Sequence, residues 1–361
     1  MSEYITLKKN DPLFEKYIWG VCDKIGFTAL PVTSLNIESP EEIATFEIVK
    51  TESIEKPSVF TIYLRLIKLK RFVLILVPYF YVAVKNDVDN RFFDPLSFWF
   101  SLLAMIFLFA GFNIRNDVND FISGYDRVNI NHNKPILKGW ISAKRAAMVS
   151  SAFIFLAFIF SLPIMIRQAE EMRVLAVVGV LLLLGQLLSK NSYKNKRWGE
   201  IIFFILIGPG VVSGFQVALG SGIDTEVLAF GILWAWAIQF LVHLNNFGNL
   251  LTSAQAQIKN TMTRYGFDGA KKVISYWWCG FIILWVIYHY HYASVFWSWF
   301  TTIILVFWSL PTFIKVSQIQ SPLGSDTRLI KKIGYKNFML MVGLVILEFS
   351  WYFLTKNSWT L

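Results

Sequence analysis

Between residues 69 and 355 the chain returns repeatedly to apolar runs of about twenty residues, the length a helix needs to cross a hydrocarbon core of roughly 30 Å. Nine such runs can be drawn, at about 69–86, 95–114, 146–167, 172–189, 200–220, 225–245, 273–290, 292–314 and 335–355. Composition agrees. The chain is 55% hydrophobic and only 16% charged, whereas soluble domains carry about a quarter charged residues. The sequence therefore predicts an all-α, multi-pass membrane bundle of about nine transmembrane helices.

The basic residues test that count. With the N-terminus on the cytoplasmic side, nineteen Lys and Arg fall in cytoplasmic loops and five on the other side, as the positive-inside rule requires. This places the chain in the cytoplasmic (inner) cell membrane. The net charge of +10 is spread between apolar runs and forms no single stripe, so nucleic acid is not an expected partner and the lipid bilayer is. Trp and Tyr gather near span ends, and His289 and His291 read as members of that interfacial belt and not as metal ligands. Cys22 and Cys279 lie too far apart in sequence to suggest a disulfide framework. Residues 1–58 show no cleavable signal and no clear fold, and are expected to form a cytoplasmic extension. Residues 59–361 form the transmembrane domain. It opens with the amphipathic, basic stretch YLRLIKLKRF at 63–72, suited to an anionic inner leaflet.

The second run ends in NIRNDVNDFISGYDRVN, residues 113–129. Helical spacing places Asn113, Asn116 or Asp117, and Asp120 on one face. Carboxylates beside lipid are costly unless they face a cavity, a partner or a cation. Two of them a turn apart, backed by amides, make a hard oxygen site suited to Mg²⁺ bridging to a substrate phosphate. The metal-ligand set read from this stretch is Asn113, Asn116, Asp117, Asp120 and Asp126, with Asp117, Asp120 and Asn116 as its catalytic centre. Arg127, Lys134 and Lys138 follow at once, as a phosphate-binding segment would. Helix capping explains one or two such polar side chains, not a repeated face.

These residues resemble the first aspartate-rich motif, Asn-Asp-x-x-Asp, of the UbiA superfamily of intramembrane prenyltransferases, and the Gly-x-Asp ending resembles the dihydroxynaphthoate branch of menaquinone synthesis. NKPILKGWIS at 133–142 and the Gly-Glu and Gly-Pro features of residues 199–220 also resemble that family. The Gly208-Pro209 pair and Glu200 have structural readings of their own, as a helix kink and a helix-start residue. The resemblance covers roughly residues 60–355. It departs at the second motif, where the chain reads HLNNFGNLLTSAQAQIKNTMTRYG at 243–266. Asn245 and Asn246 match, but Asn249 and Ser253 stand where the family has Asp. Asn245, Asn249, Ser253 and Gln257 are expected to keep a polar helical face without its charge. Lys259 and Arg264 are then expected to help neutralise a diphosphate.

The resemblance implies a transferase that ionises a polyprenyl diphosphate with Mg²⁺ and passes the prenyl group to a small acceptor, most often an aromatic ring or quinone precursor. It leaves two alternatives: a UbiA-like terpene cyclase, and a catalytically lapsed isoprenoid-binding protein. A transporter ranks last, because the polar residues cluster at one membrane face and not at the midplane.

Overall fold

The computed structural model describes residues 3–37, 39–89, 94–128, 134–167, 199–255, 259–292, 295–322 and 325–358. The expected span at 172–189, with its flanking basic residues, lies outside these. The chain forms two compact units, one of Met1–Phe72, Leu103–Phe160 and Thr252–Gln257, the other of Val73–Leu102, Ser161–Leu251 and Ile258–Leu361.

The first unit holds a fold that sequence reading did not find. Strands β1 (Glu3–Lys8), β2 (Phe27–Leu35) and β3 (Ile43–Lys50) make an antiparallel sheet in the order β1-β3-β2. The central strand IATFEIVK alternates cleanly, burying Ala44, Phe46 and Ile48 on one face. Helix α1 (Pro12–Ile18) begins at Asp11, whose carboxylate accepts from the Leu13 N–H at 2.8 Å. It sets Phe14 and Tyr17 edge-on against Phe46.

Residues 1–58 are thus no shapeless extension. Their fold was hard to read because β2 contains Pro31 at a register shift. In addition, the apolar face is completed from far along the chain: Ile114, Val118, Phe121, Ile136, Leu137 and Ile141 share one core with Leu7, Phe46 and Ile48. Each such fully buried side chain contributes about 1.5–3 kcal/mol, and the N-terminal segment and residues 114–146 are both needed to bury them.

After α2 (Val59–Ile67) and a short 3-10 turn comes α3 (Val73–Val88), then α4 (Pro95–Ile122), the one-turn α5 (Tyr125–Val128) and α6 (Ala143–Arg167). Within the first unit α6 crosses α4 closely at Gly111, where an added Cβ would meet Ile154 Cγ1 at 2.7 Å and where Ser150 Oγ donates to the Gly111 carbonyl. The sheet packs on the C-terminal part of α4 and on residues 136–146. Helix α3 has 16 residues and a length of about 24 Å.

In the second unit, α7 (Gly199–Ile205) runs through a π turn at Leu206–Gly210 into α8 (Val211–Ala218). Then come α9 (Thr225–Phe247), the short α10 (Leu250–Gln255), most of which groups with the first unit, α11 (Thr261–Tyr292), α12 (Val295–Gln318) and α13 (Ser325–Ser358). Helix α9 is its centre, with 67% of its apolar window buried against 28–39% for the other spans wholly in this unit. Gly208 shows why Gly-Pro stands there: an added Cβ would lie 2.3 Å from the Gly231 carbonyl oxygen of α9. The pair shapes a close helix crossing.

His289 is buried within the protein. Its Nδ1 lies 2.8 Å from the Trp285 carbonyl and its Nε2 3.0 Å from Glu348. Among the described residues, seven helices are long and apolar enough to cross a membrane, and the helical-bundle reading of the sequence holds for them.

Candidate functional site

The C-terminal turns of α4 carry the aspartates, and their neighbours in the first unit fix them. Asn113 Nδ2 donates to the Ile67 carbonyl at 3.1 Å, tying α4 to the end of α2. Asn116 Nδ2 donates to Asp120 Oδ2 at 3.2 Å, the one-turn contact that the spacing predicts. Asp117, buried, receives Lys68 Nζ at 2.6 Å and Lys134 Nζ at 3.2 Å. Lys134 also lies 2.7 Å from Asp126 and 3.9 Å from Asp120.

Three carboxylates therefore converge on one ammonium. Among the described residues no three His, Cys, Asp or Glu side chains close a metal cage by themselves; here a lysine ammonium lies among the carboxylates. The electrostatics agree. Burial raises the Asp126 carboxyl to about 6, against the pull of Lys134. Burial also works to lower Lys134, but Asp117, Asp126 and Asp120 outweigh it and raise its ammonium above the usual lysine value.

Lys68 was missed by sequence reasoning, which assigned its segment to lipid. It caps α2 in the left-handed conformation, φ +54°, a turn that swings its ammonium onto Asp117. Burial lowers it to about 8. The only sequence signal was a basic residue at the end of an amphipathic helix, which has many commoner explanations.

The expected phosphate segment divides. Lys134 joins the cluster. Lys138 is exposed and makes none of these bonds. Arg127 is turned away: it is 1% exposed, its Nη2 donates to Glu42 at 2.7 Å and to the Ile122 carbonyl, and its Nε donates to the Phe121 carbonyl. A guanidinium so engaged is not available to a diphosphate, and its apparent role came from reading every basic residue near the motif as an anion contact.

The second polar stretch also departs from expectation. Helix α9 ends at Phe247 with Gly248 as its cap, and a new helix starts at Leu250. Asn245, Asn249 and Ser253 therefore do not share one helical face. Asn245 is exposed and Asn246 half-buried, while Asn249 Oδ1 accepts from Lys331 Nζ. Ser253 is buried and groups with the first unit; Gln257 lies outside the described residues. Lys259 and Arg264 are exposed. Glu200 holds a helix start, accepting from the Thr261 N–H at 3.0 Å where α11 begins.

Deeper in the second unit, Gln239 and His243 sit one turn apart on α9, both almost fully buried, with Gln239 Nε2 3.3 Å from His243 Nε2. Trp277 packs 4.9 Å from the His243 ring and 4.2 Å from the Trp236 ring. Gln239 Oε1 and His243 Nδ1 have no hydrogen-bond partner among the described residues. If the amide donates to His243, a carbonyl oxygen and an Nδ1–H are left over. If the amide is turned, an NH₂ and a bare Nδ1 are left. In each case one donor and one acceptor are unmet.

A family model described as the UbiA prenyltransferase family matches residues 88–329. Among solved structures, the chain is similar to a UbiA homologue from Archaeoglobus fulgidus bound to GPP and Mg²⁺, at 16% identity over 80% of this chain and 99% of that one, with a TM-score of 0.55. A structure concerned with digeranylgeranylglyceryl phosphate synthase in membranes is similar at 18% identity, over 80% and 98% of the two chains, with a TM-score of 0.55. The apo form of a UbiA homologue from Aeropyrum pernix K1 is similar at 12% identity, over 77% and 97%, with a TM-score of 0.53. These likenesses are likenesses of fold. No curated protein matches the chain.

Proposed function

This chain belongs to the UbiA prenyltransferase family, and we propose that it is a membrane prenyltransferase that ionises a polyprenyl diphosphate at the Asp117–Asp120 cluster and transfers the prenyl group to a hydroxylated aromatic acceptor. The observation that carries the reading is the convergence of Asp117, Asp120 and Asp126 on the Lys134 ammonium. A buried carboxylate nest of this kind stabilises a cation, and its hard oxygens fit Mg²⁺. The relatives bound to GPP or DMAPP together with Mg²⁺ support the same choice. Asp117, Asp120 and Asp126 are the residues that would hold the metal, with Asn116 orienting Asp120. Bound there, Mg²⁺ supplies positive charge against the charge that builds on a departing diphosphate.

Lys134 and Lys68, released from the carboxylates, are then donors for diphosphate oxygens. An allylic cation formed on ionisation, with diphosphate as the leaving group, is captured by the acceptor ring, which regains aromaticity by losing a proton to solvent. The unmet donor and acceptor at Gln239 and His243, beside Trp277, are chemistry that a phenolic hydroxyl, as a quinone precursor carries, would meet. The cytoplasmic membrane, with the aspartate loop on the cytoplasmic face, is the setting that the basic-residue pattern supports.

The test is incubation of the purified protein with prenyl diphosphates of several lengths, with and without Mg²⁺ and with and without a dihydroxylated aromatic acceptor. Mg²⁺-dependent diphosphate release and a prenylated acceptor are expected. Release with a hydrocarbon or alcohol product and no dependence on acceptor would replace transfer by cyclisation, and no release under any condition would remove the catalytic reading.

A further inference from the structure

The family match begins at residue 88, so the sheet of residues 3–50 stands outside it. Yet this sheet is built into the aspartate site. Its apolar face forms one core with α4 and with residues 136–146. Glu42, the residue before β3, is 3% exposed and receives Arg127 Nη2 at 2.7 Å, while Ser34 of β2 accepts from Arg127 Nη1 at 3.3 Å. Arg127 in turn holds the carbonyls of Phe121 and Ile122, which end α4. Two glycines mark how tightly the parts meet. At Gly124, φ +87°, an added Cβ would lie 2.6 Å from Ile37 Cγ2; at Gly139, φ +67°, it would lie 2.4 Å from Leu30 Cδ2. Asp126 and Lys134 lie between these two glycines in the chain.

We propose that the N-terminal sheet is a positioning module for the aspartate site, with Glu42 and Arg127 as the positioning pair that holds the end of α4 so that Asp126 and Lys134 meet Asp117 and Asp120. The inference rests on the metal-binding reading given above. Arg127 is ideally suited to such a place: one planar donor group spans a carboxylate on the sheet and two backbone carbonyls on the motif, which a lysine cannot do. The arrangement matches what outer partners do for metal ligands, where losing the orienting group weakens the metal by about 10- to 100-fold.

The test uses the full-length protein in detergent, comparing wild type with Glu42→Gln, Glu42→Ala and Arg127→Lys. Mn²⁺ binding is followed by electron paramagnetic resonance, and amide hydrogen exchange over residues 117–128 and 134–142 by mass spectrometry. Faster exchange in both segments is expected. Mn²⁺ affinity should fall about 10- to 100-fold in Glu42→Ala, with Glu42→Gln, which keeps an acceptor for Arg127, lying between it and wild type. Should Glu42→Ala not fold, Glu42→Gln and Arg127→Lys carry the same comparison. Faster exchange with unchanged Mn²⁺ affinity would show a merely structural contact and overturn the inference; so would unchanged exchange. Wild-type protein that binds no Mn²⁺ overturns the metal reading and this inference with it, whereas wild type that binds while Glu42→Ala binds equally overturns the positioning role alone.

Discussion

Replacing Lys134 by Met separates its two roles, as a stand-in for a divalent cation and as a diphosphate donor. The ammonium lies 2.7 Å from Asp126, 3.2 Å from Asp117 and 3.9 Å from Asp120, and so neutralises the carboxylates that a metal would need. Removing one partner of a buried ion pair costs about 3–5 kcal/mol, because the remaining charge is left uncompensated. Lys134 keeps 23% of its side chain exposed and Lys68 remains on Asp117, so the expected loss is smaller, about 2–3 kcal/mol. A divalent cation restores the missing charge. The same free energy then appears as tighter binding, about 30- to 150-fold at about 1.4 kcal/mol per factor of ten.

The assay is Mn²⁺ titration of wild type and Lys134→Met, with thermal unfolding recorded in EDTA and in saturating Mg²⁺. The variant should melt earlier in EDTA, regain its stability with Mg²⁺, bind Mn²⁺ more tightly and turn over more slowly. Equal or weaker Mn²⁺ binding would refute the idea that Lys134 occupies the place of the cation.

Asp117→Ala should lower turnover by about a thousandfold or more in a protein that still inserts and purifies normally; near-normal diphosphate release would remove Asp117 from the site. Burial holds Asp126 at about 6, above its ordinary value of 3.8, so between these values the native state keeps a proton that the unfolded chain has released. Stability contributed by this group is therefore present below about pH 4 and falls as pH rises through about 6. Mn²⁺ affinity runs the other way and weakens as pH drops through about 6, and Asp126→Asn should flatten both profiles in melting and titration experiments. Gly208→Val should destabilise the second unit by about 3 kcal/mol, since the added carbon meets backbone at Gly231; an unchanged melting temperature would show that the helices there are free to move apart.

What could be read from the sequence was local. The apolar runs fix the spans by length alone, and Asp117 and Asp120 lie on one face by helical geometry that needs only four consecutive residues. What could not be read depends on distant partners. The sheet shows a clean alternation only in β3, because its buried face is covered by Ile114, Val118 and Leu137. Arg127 has the composition of a phosphate contact, and only Glu42, 85 residues away, shows otherwise. Lys68 reaches Asp117 through a left-handed turn that a lysine gives no sign of adopting. The break at Gly248 escaped because polar spacing of four suggests a helix whether or not the backbone continues through it.

The 85 residues between Glu42 and Arg127 also set a timetable. At about 5–20 residues per second of synthesis, the sheet leaves the ribosome roughly 4–17 seconds before its partner arrives. During that interval Leu7, Phe46 and Ile48 lack their cover while two greasy helices are being delivered to the translocation machinery. Weakened variants of the sheet should therefore show themselves first as a lower yield of inserted protein, lost to chaperones and proteases during biogenesis, before any survivor is assayed.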